Sequence, residues 1–343
     1  MSHPNPSELL APAGARRPSL VRELVARIRA TPLLKALLVL LLLLARSDRL
    51  IGEVEGATEM AITPLRRREK PARQPDYNWT LHDDRHWQIF SPIFEDPAVT
   101  DEVEQNRGSC PTGMIEIEGN SKRGSRYAIE SLQSGTCLDW LQTSFPQRCA
   151  QFDEEAWIPL IARFPTESMR FCIDRFEYPN IKSQYPWILV TWNEAADLCA
   201  EQEKRLCTED EWTFACEGEE ALPFPYGYTR SSEACVIDRA WRDYDDGAWA
   251  DRASRAAMLE LDRLWQGEPS GARPACRSPF GVYDMTGNVD EWTTSTGDHG
   301  YQSVLKGGYW GAVRARCRSS TRAHDEDFAF YQQGFRCCSD LRQ

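Results

Sequence analysis

No stretch of this 343-residue chain is apolar for the roughly 20 residues that a helix needs to cross a bilayer. Positive charge is also short: 40 Lys and Arg stand against 52 Asp and Glu, a net of −12. That excludes the basic footprint of a general nucleic-acid binder. Histidine is scarce, with His3, His82, His86, His299 and His324 the full set. His82 and His86 have the spacing of a helical metal pair, but no helical pattern surrounds them and they read as a solvated loop. No two cysteines have the two-residue gap of a zinc knuckle, and no internal repeat is evident. Low complexity is absent too: 41% hydrophobic and 27% charged residues exclude a disordered or fibrous chain.

Cysteine, by contrast, is abundant, at 12 residues. That many argues for an oxidising compartment, and the chain is too long for a small disulfide scaffold. Charge is unevenly placed. Residues 1–50 hold eight Lys/Arg and three Asp/Glu, so a +5 start precedes a −17 remainder. Residues 36–45 read ALLVLLLLLA, behind Arg16, Arg17, Arg22, Arg27, Arg29 and Lys35. Residues 1–52 are therefore expected to be a basic leader whose apolar segment, 33–45, is either a signal region or a retained anchor. Export to the periplasm, the cell surface or the medium is the expectation that goes with that leader. Residues 53–107, with TPLRRREKPARQP at 63–75, read as a linker, and 108–343 as the folded domain.

Within the domain two helices announce themselves. Thr191-Trp192-Asn193-Glu194 is a capping box that starts a helix running to about Gln202. Thr208-Glu209-Asp210-Glu211 repeats it, with a stop near Gly218. YPWILVTW (185–192) reads as a strand before the first helix. DRASRAAMLELDRLW (251–265) reads as a third helix, with Ala256, Leu259 and Leu264 on part of one face. The remainder consists of short segments broken by Gly and Pro.

Four motifs in order then carry a resemblance. RLCTEDEW (205–212), SPFGVYDMTGNVDEW (278–292), LKGGYW (305–310) and QGFRC (333–337) resemble the segments of the formylglycine-generating enzyme, or sulfatase-modifying factor, family. The recognisable core is 171–338. Two positions depart from the family pattern: Cys207 replaces a proline, and Asp290 replaces an aromatic residue. The resemblance implies an α+β, C-type-lectin-like domain with little regular secondary structure. It marks Arg205, Glu211, Trp212, Asp284, Gly287, Trp292, Gly307, Gly308, Gly334 and Arg336 as structural motif residues. It implies the disulfides Cys199–Cys337 and Cys216–Cys317, with Cys338 leaving the partner of Cys337 ambiguous. Cys110, Cys137, Cys149, Cys172, Cys207, Cys235 and Cys276 stay unassigned, although Cys137 and Cys149 are close enough for a local loop. Arg336 is expected to pair with a buried carboxylate, Asp284 or Glu291.

The family's activity oxidises a substrate cysteine to formylglycine with oxygen and copper, through two enzyme cysteines five residues apart. Soft Cu(I) needs such thiolates. They belong between the Gly-Gly segment and the Arg-Cys position, here YWGAVRAR (309–316), which holds no cysteine. Copper is therefore not expected, and no catalytic residue is assigned. A sulfoxide-synthase variant would need three histidines on a separate helical domain, which is not visible. His324 beside Asp325 and Asp327 reads as solvated rather than as part of a serine triad. The resemblance implies calcium at Asn288, Val289 and Glu291, whose oxygens suit a hard cation, or else a turn that these residues merely hydrogen-bond.

Two functions stand as expectations. One is an exported or membrane-tethered binding or accessory domain for an unidentified protein, peptide or glycan, touching membrane only through its leader. The other is a diverged metal-dependent oxidase or hydroxylase. The insertion at 239–270, with Trp241, Trp249 and Trp265, either presents binding loops or packs as a helix on the core.

Overall fold

The computed structural model describes residues 78–81, 87–90, 109–297 and 300–342. The chain divides into units 1–72 and 73–343, and every described residue lies in the second. The leader and the 63–75 stretch thus lie outside the described residues, as do His3, His82, His86 and His299.

The reading of 53–107 as linker throughout is corrected. Strands β1 (Asn78–Leu81) and β2 (Trp87–Phe90) pair antiparallel within it. Trp79 is 2% exposed, and its backbone exchanges hydrogen bonds of 3.3 and 2.9 Å with Ile188. Its indole N–H donates to the Arg252 carbonyl. Trp87 meets Trp265 edge-on at 5.5 Å between ring centroids. Two indoles carry more apolar surface than a solvated linker leaves in water.

In β3 (Met114–Lys122), Ile115 and Ile117 face the core while Glu116 and Glu118 are less buried. Next come α1 (Arg126–Gly135), the hairpin β4 (Cys137–Gln142) and β5 (Arg148–Phe152), α2 (Glu154–Ile161) and β6 (Thr166–Asp174). Both capping boxes form. Thr191 caps α3 (Trp192–Glu201) and, beyond β7 (Arg205–Leu206), Thr208 caps α4 (Glu209–Glu217), which stops at Gly218 with φ +68°. Residues 185–192 do not form a strand. Pro186 has no N–H to give, Ile188 makes a single bridge to Trp79, and Leu189 at φ +58° ends the extension just before α3.

The insertion holds a 3-10 turn (Asp246–Ala250) and α5 (Arg255–Leu264), capped by Ser254. Its buried face is Ala257, Leu261 and Leu264, with Glu260, whereas Ala256 is exposed and Leu259 is 54% exposed. The spacing i, i+4, i+7 sets that face, which keeps the expected Leu264 but takes Ala257 and Leu261 in place of Ala256 and Leu259.

The chain closes with β8 (Asp290–Thr294), β9 (Ser303–Lys306), β10 (Ser320–Thr321), β11 (Gln333–Phe335) and β12 (Cys337–Ser339). One sheet has the order β10-β9-β8-β11, with β11 parallel to β8. The other has the order β3-β6-β12-β7. The fold is a mixed α+β body of short elements. Consecutive strands β11 and β12 belong to different sheets, and Arg336 is the residue between them.

All 12 cysteines are bonded, as Cys110–Cys172, Cys137–Cys149, Cys199–Cys337, Cys207–Cys338, Cys216–Cys317 and Cys235–Cys276. Six such bonds indicate folding in an oxidising environment. Cys337 and Cys338 are neighbours on one strand, so their side chains point to opposite faces. Cys337 reaches α3 on one face, and Cys338 reaches Cys207 on the other. The cysteine in place of the family's proline and the extra one after Gly-Phe-Arg-Cys are thus two ends of one bond. Among the described residues no helix is long and apolar enough to cross a membrane.

The Cys199–Cys337 and Cys207–Cys338 bonds close nearly the same loop, so either alone keeps β12 tethered. Serine replacement of one pair should cost about 2–3 kcal/mol, and replacement of both pairs more than twice that. Denaturant unfolding of the two single-bond variants and the double variant measures this. Simple additivity would contradict it.

Candidate functional site

The site is organised around the turn that SPFGVYDMTGNVDEW makes between the sheets. Gly287 has φ +83°, and a Cβ there would lie 2.4 Å from the Val236 carbonyl oxygen, so only glycine fits. Asn288 follows at φ +59°. Its Oδ1 accepts from Glu268 N–H at 2.9 Å, and its Nδ2 donates to Glu177 at 2.7 Å. Glu177 also accepts from Val289 N–H at 3.3 Å and from the Ser270 hydroxyl at 2.7 Å. Asp284 accepts from Gly271 N–H at 2.6 Å.

Arg336 and Glu291 form the centre. The guanidinium is wholly buried and meets both Glu291 oxygens at 2.6 Å. It also donates to the carbonyls of Asp174 at 3.2 Å and Tyr283 at 2.9 Å. Trp212 donates its indole N–H to Glu291 at 2.7 Å. Of the two carboxylates expected for Arg336, Glu291 is the partner. Glu177, Asp284 and Glu291 thus share one guanidinium. Burial pushes the Glu177 carboxyl well up, and the negative charges of Asp284 and Glu291 add to it. Burial likewise raises Asp284 to about 7.

The remaining motif residues frame this cluster. Arg205 chelates Glu211 through two 2.7 Å bonds, and Trp292 donates to the Val190 carbonyl at 2.8 Å. A Cβ on Gly334 would sit 2.8 Å from the Trp187 oxygen, and one on Gly307 2.9 Å from the Met285 oxygen. Gly308, at φ +75°, donates its N–H to Asp290 at 2.8 Å.

Calcium at Asn288, Val289 and Glu291 does not fit this arrangement. Both Glu291 oxygens face Arg336, and Asn288 Oδ1 is taken by Glu268. The three residues stabilise the turn through separate hydrogen-bond sets. Among the described residues no group of three or more His, Cys, Asp or Glu is arranged to hold a metal ion. Glu177, which gathers Ser270, Asn288 and Val289, was not singled out from the sequence. Its one signal is a carboxylate set between the aromatics Phe176 and Tyr178.

The interval 309–316 is buried at its start and end, with Ala312 exposed between. Tyr309 is 8% exposed and Trp310 is 2% exposed. Arg239 at the start of the insertion donates its N–H to the Trp310 carbonyl at 2.8 Å, and Asp238 donates to Gly311 at 3.2 Å. Trp265 packs on Trp310 at 4.8 Å, and Trp249 stacks on Tyr331 at 5.7 Å. The insertion therefore packs on the core, with Trp241 left 58% exposed at its edge. Asp290, in place of an aromatic, is half-buried, and desolvation raises it to about 7 against the hydrogen bond from Gly308. His324 stacks on Phe328 at 3.9 Å, and the Ser303 hydroxyl donates to its carbonyl rather than to its ring. No serine triad is assembled there.

Replacing either Arg336 or Glu291 alone with methionine leaves a buried charge unpaired and should cost about 3–5 kcal/mol, whereas the double replacement should cost less than either. Urea unfolding decides it, and a double variant weaker than both singles would contradict the pairing. Asp290 has a raised folded-state pKa, so its contribution is fully present below the ordinary carboxylate range and is lost as pH rises through about 7. Asp290→Asn should therefore melt like the parent near pH 4 and several degrees higher at pH 8. A melting difference independent of pH would contradict the burial.

The sulfatase-modifying factor enzyme 1-like domain family matches residues 136–341. The inactive C-alpha-formylglycine-generating enzyme 2 of Bos taurus is 32% identical over 46% of this chain and 51% of its own. The formylglycine-generating enzyme of Mus musculus is 26% identical over 46% of this chain and 45% of its own. The chain spans about half the length of these curated relatives. Among solved structures, CarF aligns over 67% of this chain and 99% of its own, at 14% identity and a TM-score of 0.43. With the family match extending over more than half of its residues, the chain belongs to the sulfatase-modifying factor enzyme 1-like domain family.

Proposed function

We infer that this protein is a sulfatase-modifying-factor-like domain without formylglycine-generating activity, and that it works as an exported binding or accessory domain. One observation carries the reading: all 12 cysteines are in disulfides, so no thiolate remains to hold a soft cation or to attack a substrate cysteine. Ala312 stands where the partner thiolate would be if Cys317 were counted as one of the pair, and Cys317 is bonded to Cys216. The insertion packed against Tyr309 and Trp310 is compatible with the same conclusion. The name of the Bos taurus relative agrees with this reading.

Export rests on the six disulfides together with the basic, apolar leader. The partner under this reading is a protein, peptide or glycan that meets the acidic body.

The test is direct. The purified chain, given copper and a peptide carrying the sulfatase cysteine motif, should leave the cysteine unconverted by mass spectrometry. Metal analysis should find neither copper nor iron near one per chain. Copper-dependent conversion would overturn the reading, and stoichiometric copper or iron would favour a diverged metal-dependent oxidase.

A further inference from the structure

A cavity of about 320 Å³ lies between the start of α4, the end of β3 and the strand after Cys317. Its size is in the range that holds a small ligand. Its lining shares no residue with 309–316, so its chemistry is independent of whether that interval is catalytically silent. In a body carrying −17 after residue 50, four cations, Lys122, Arg123, Arg318 and Arg322, line it against two acids, Glu209 and Asp210.

The arginines are fixed in place from behind. Arg318 pairs at 2.5 Å with Glu217, which is fully buried and not part of the lining. Arg322 is held by Glu209, and Arg123 by Asp210 and Glu167, both at 2.7 Å. Burial opposes charge on Glu209, yet Arg322 and Lys306 hold it down to about 2. The lining acids are thus already engaged with arginines.

Donors remain over. Arg322 Nε is buried without an acceptor, and so is Nε of Arg318, which is 6% exposed, although the second oxygen of its partner Glu217 is likewise buried without a donor. Lys122 has no carboxylate partner among the described residues. Ser125, at the cavity rim, makes no side-chain cap on α1. A buried donor without an acceptor costs about 1–3 kcal/mol, and native proteins leave few of them. The matching chemistry is a compact group with several acceptor oxygens and negative charge. A cation would meet four like charges, and an apolar ligand would strand the donors.

We propose that this cavity binds the tetrahedral oxyanion, phosphate or sulfate, of a small ligand, with Lys122, Arg318 and Arg322 as its anion-facing groups. Lys122 is the group to test because no folded-state ion pair depends on it. Inorganic phosphate and inorganic sulfate are titrated separately into the full chain by calorimetry, against sodium chloride at equal ionic strength. At least one of the two should bind at a single site, and comparison of the two arms identifies the favoured oxyanion. Lys122→Gln should weaken that binding about tenfold, Lys122→Arg should restore most of it, and Lys182→Gln, at an exposed site elsewhere, should leave it unchanged. Thermal melts without ligand confirm that the variants are folded. Absence of binding by both anions, or an equal loss in Lys182→Gln, overturns the proposal.

Discussion

Arg336 lies where the chain passes from one sheet into the other, and its guanidinium is shielded from water on every side. A charge so placed is tolerable only with a fixed counter-charge and filled donors. Glu291 supplies the first from β8, and the carbonyls at the end of β6 and at Tyr283 fill the second. Three segments distant in sequence are thereby held to one geometry. The glycine at 287, the caps on α3 and α4 and the tryptophan donors from 212 and 292 are arranged about that centre. The surplus of carboxyl groups around one guanidinium is managed by raising the affinity of Glu177 and Asp284 for protons.

The cysteines and the insertion point in one direction. Here every cysteine is committed to a cross-link, and Trp265 of the insertion packs on Trp310, two residues after the Gly-Gly segment. The fold of this chain rests on the turn, the caps and the Arg336 pair. None of these includes the 309–316 interval.

Much of the fold was legible because its signals are local. A capping box is four residues long, and Thr191 and Thr208 each carry the whole device. The four motifs lie close to the turn and the sheet crossing, and their order exposed the family. Features that depend on distant partners were hidden. The β3–β6 ladder joins residues about 50 apart, and the first half of β6 is polar. Trp79 looked like part of a linker because its partner, Ile188, is more than 100 residues away. The 185–192 segment has strand residues, but its backbone groups are claimed singly by Tyr178 and Trp79. Glu177 has no motif around it, and its role comes from Ser270, Asn288 and Val289, which only the folded chain brings near.

The two bonds on β12 also bear on how the protein is made. Cys199, Cys207 and Cys216 find their partners only at Cys337, Cys338 and Cys317, between 101 and 138 residues later. A ribosome delivers the early three long before the late three. Through that interval they lack their partners, close to one another and to Cys172 and Cys235 on either side of them in the chain. Native pairing therefore waits on the arrival of the final strand. A delay in synthesis anywhere after α4 lengthens the exposure of three sulfurs to wrong partners.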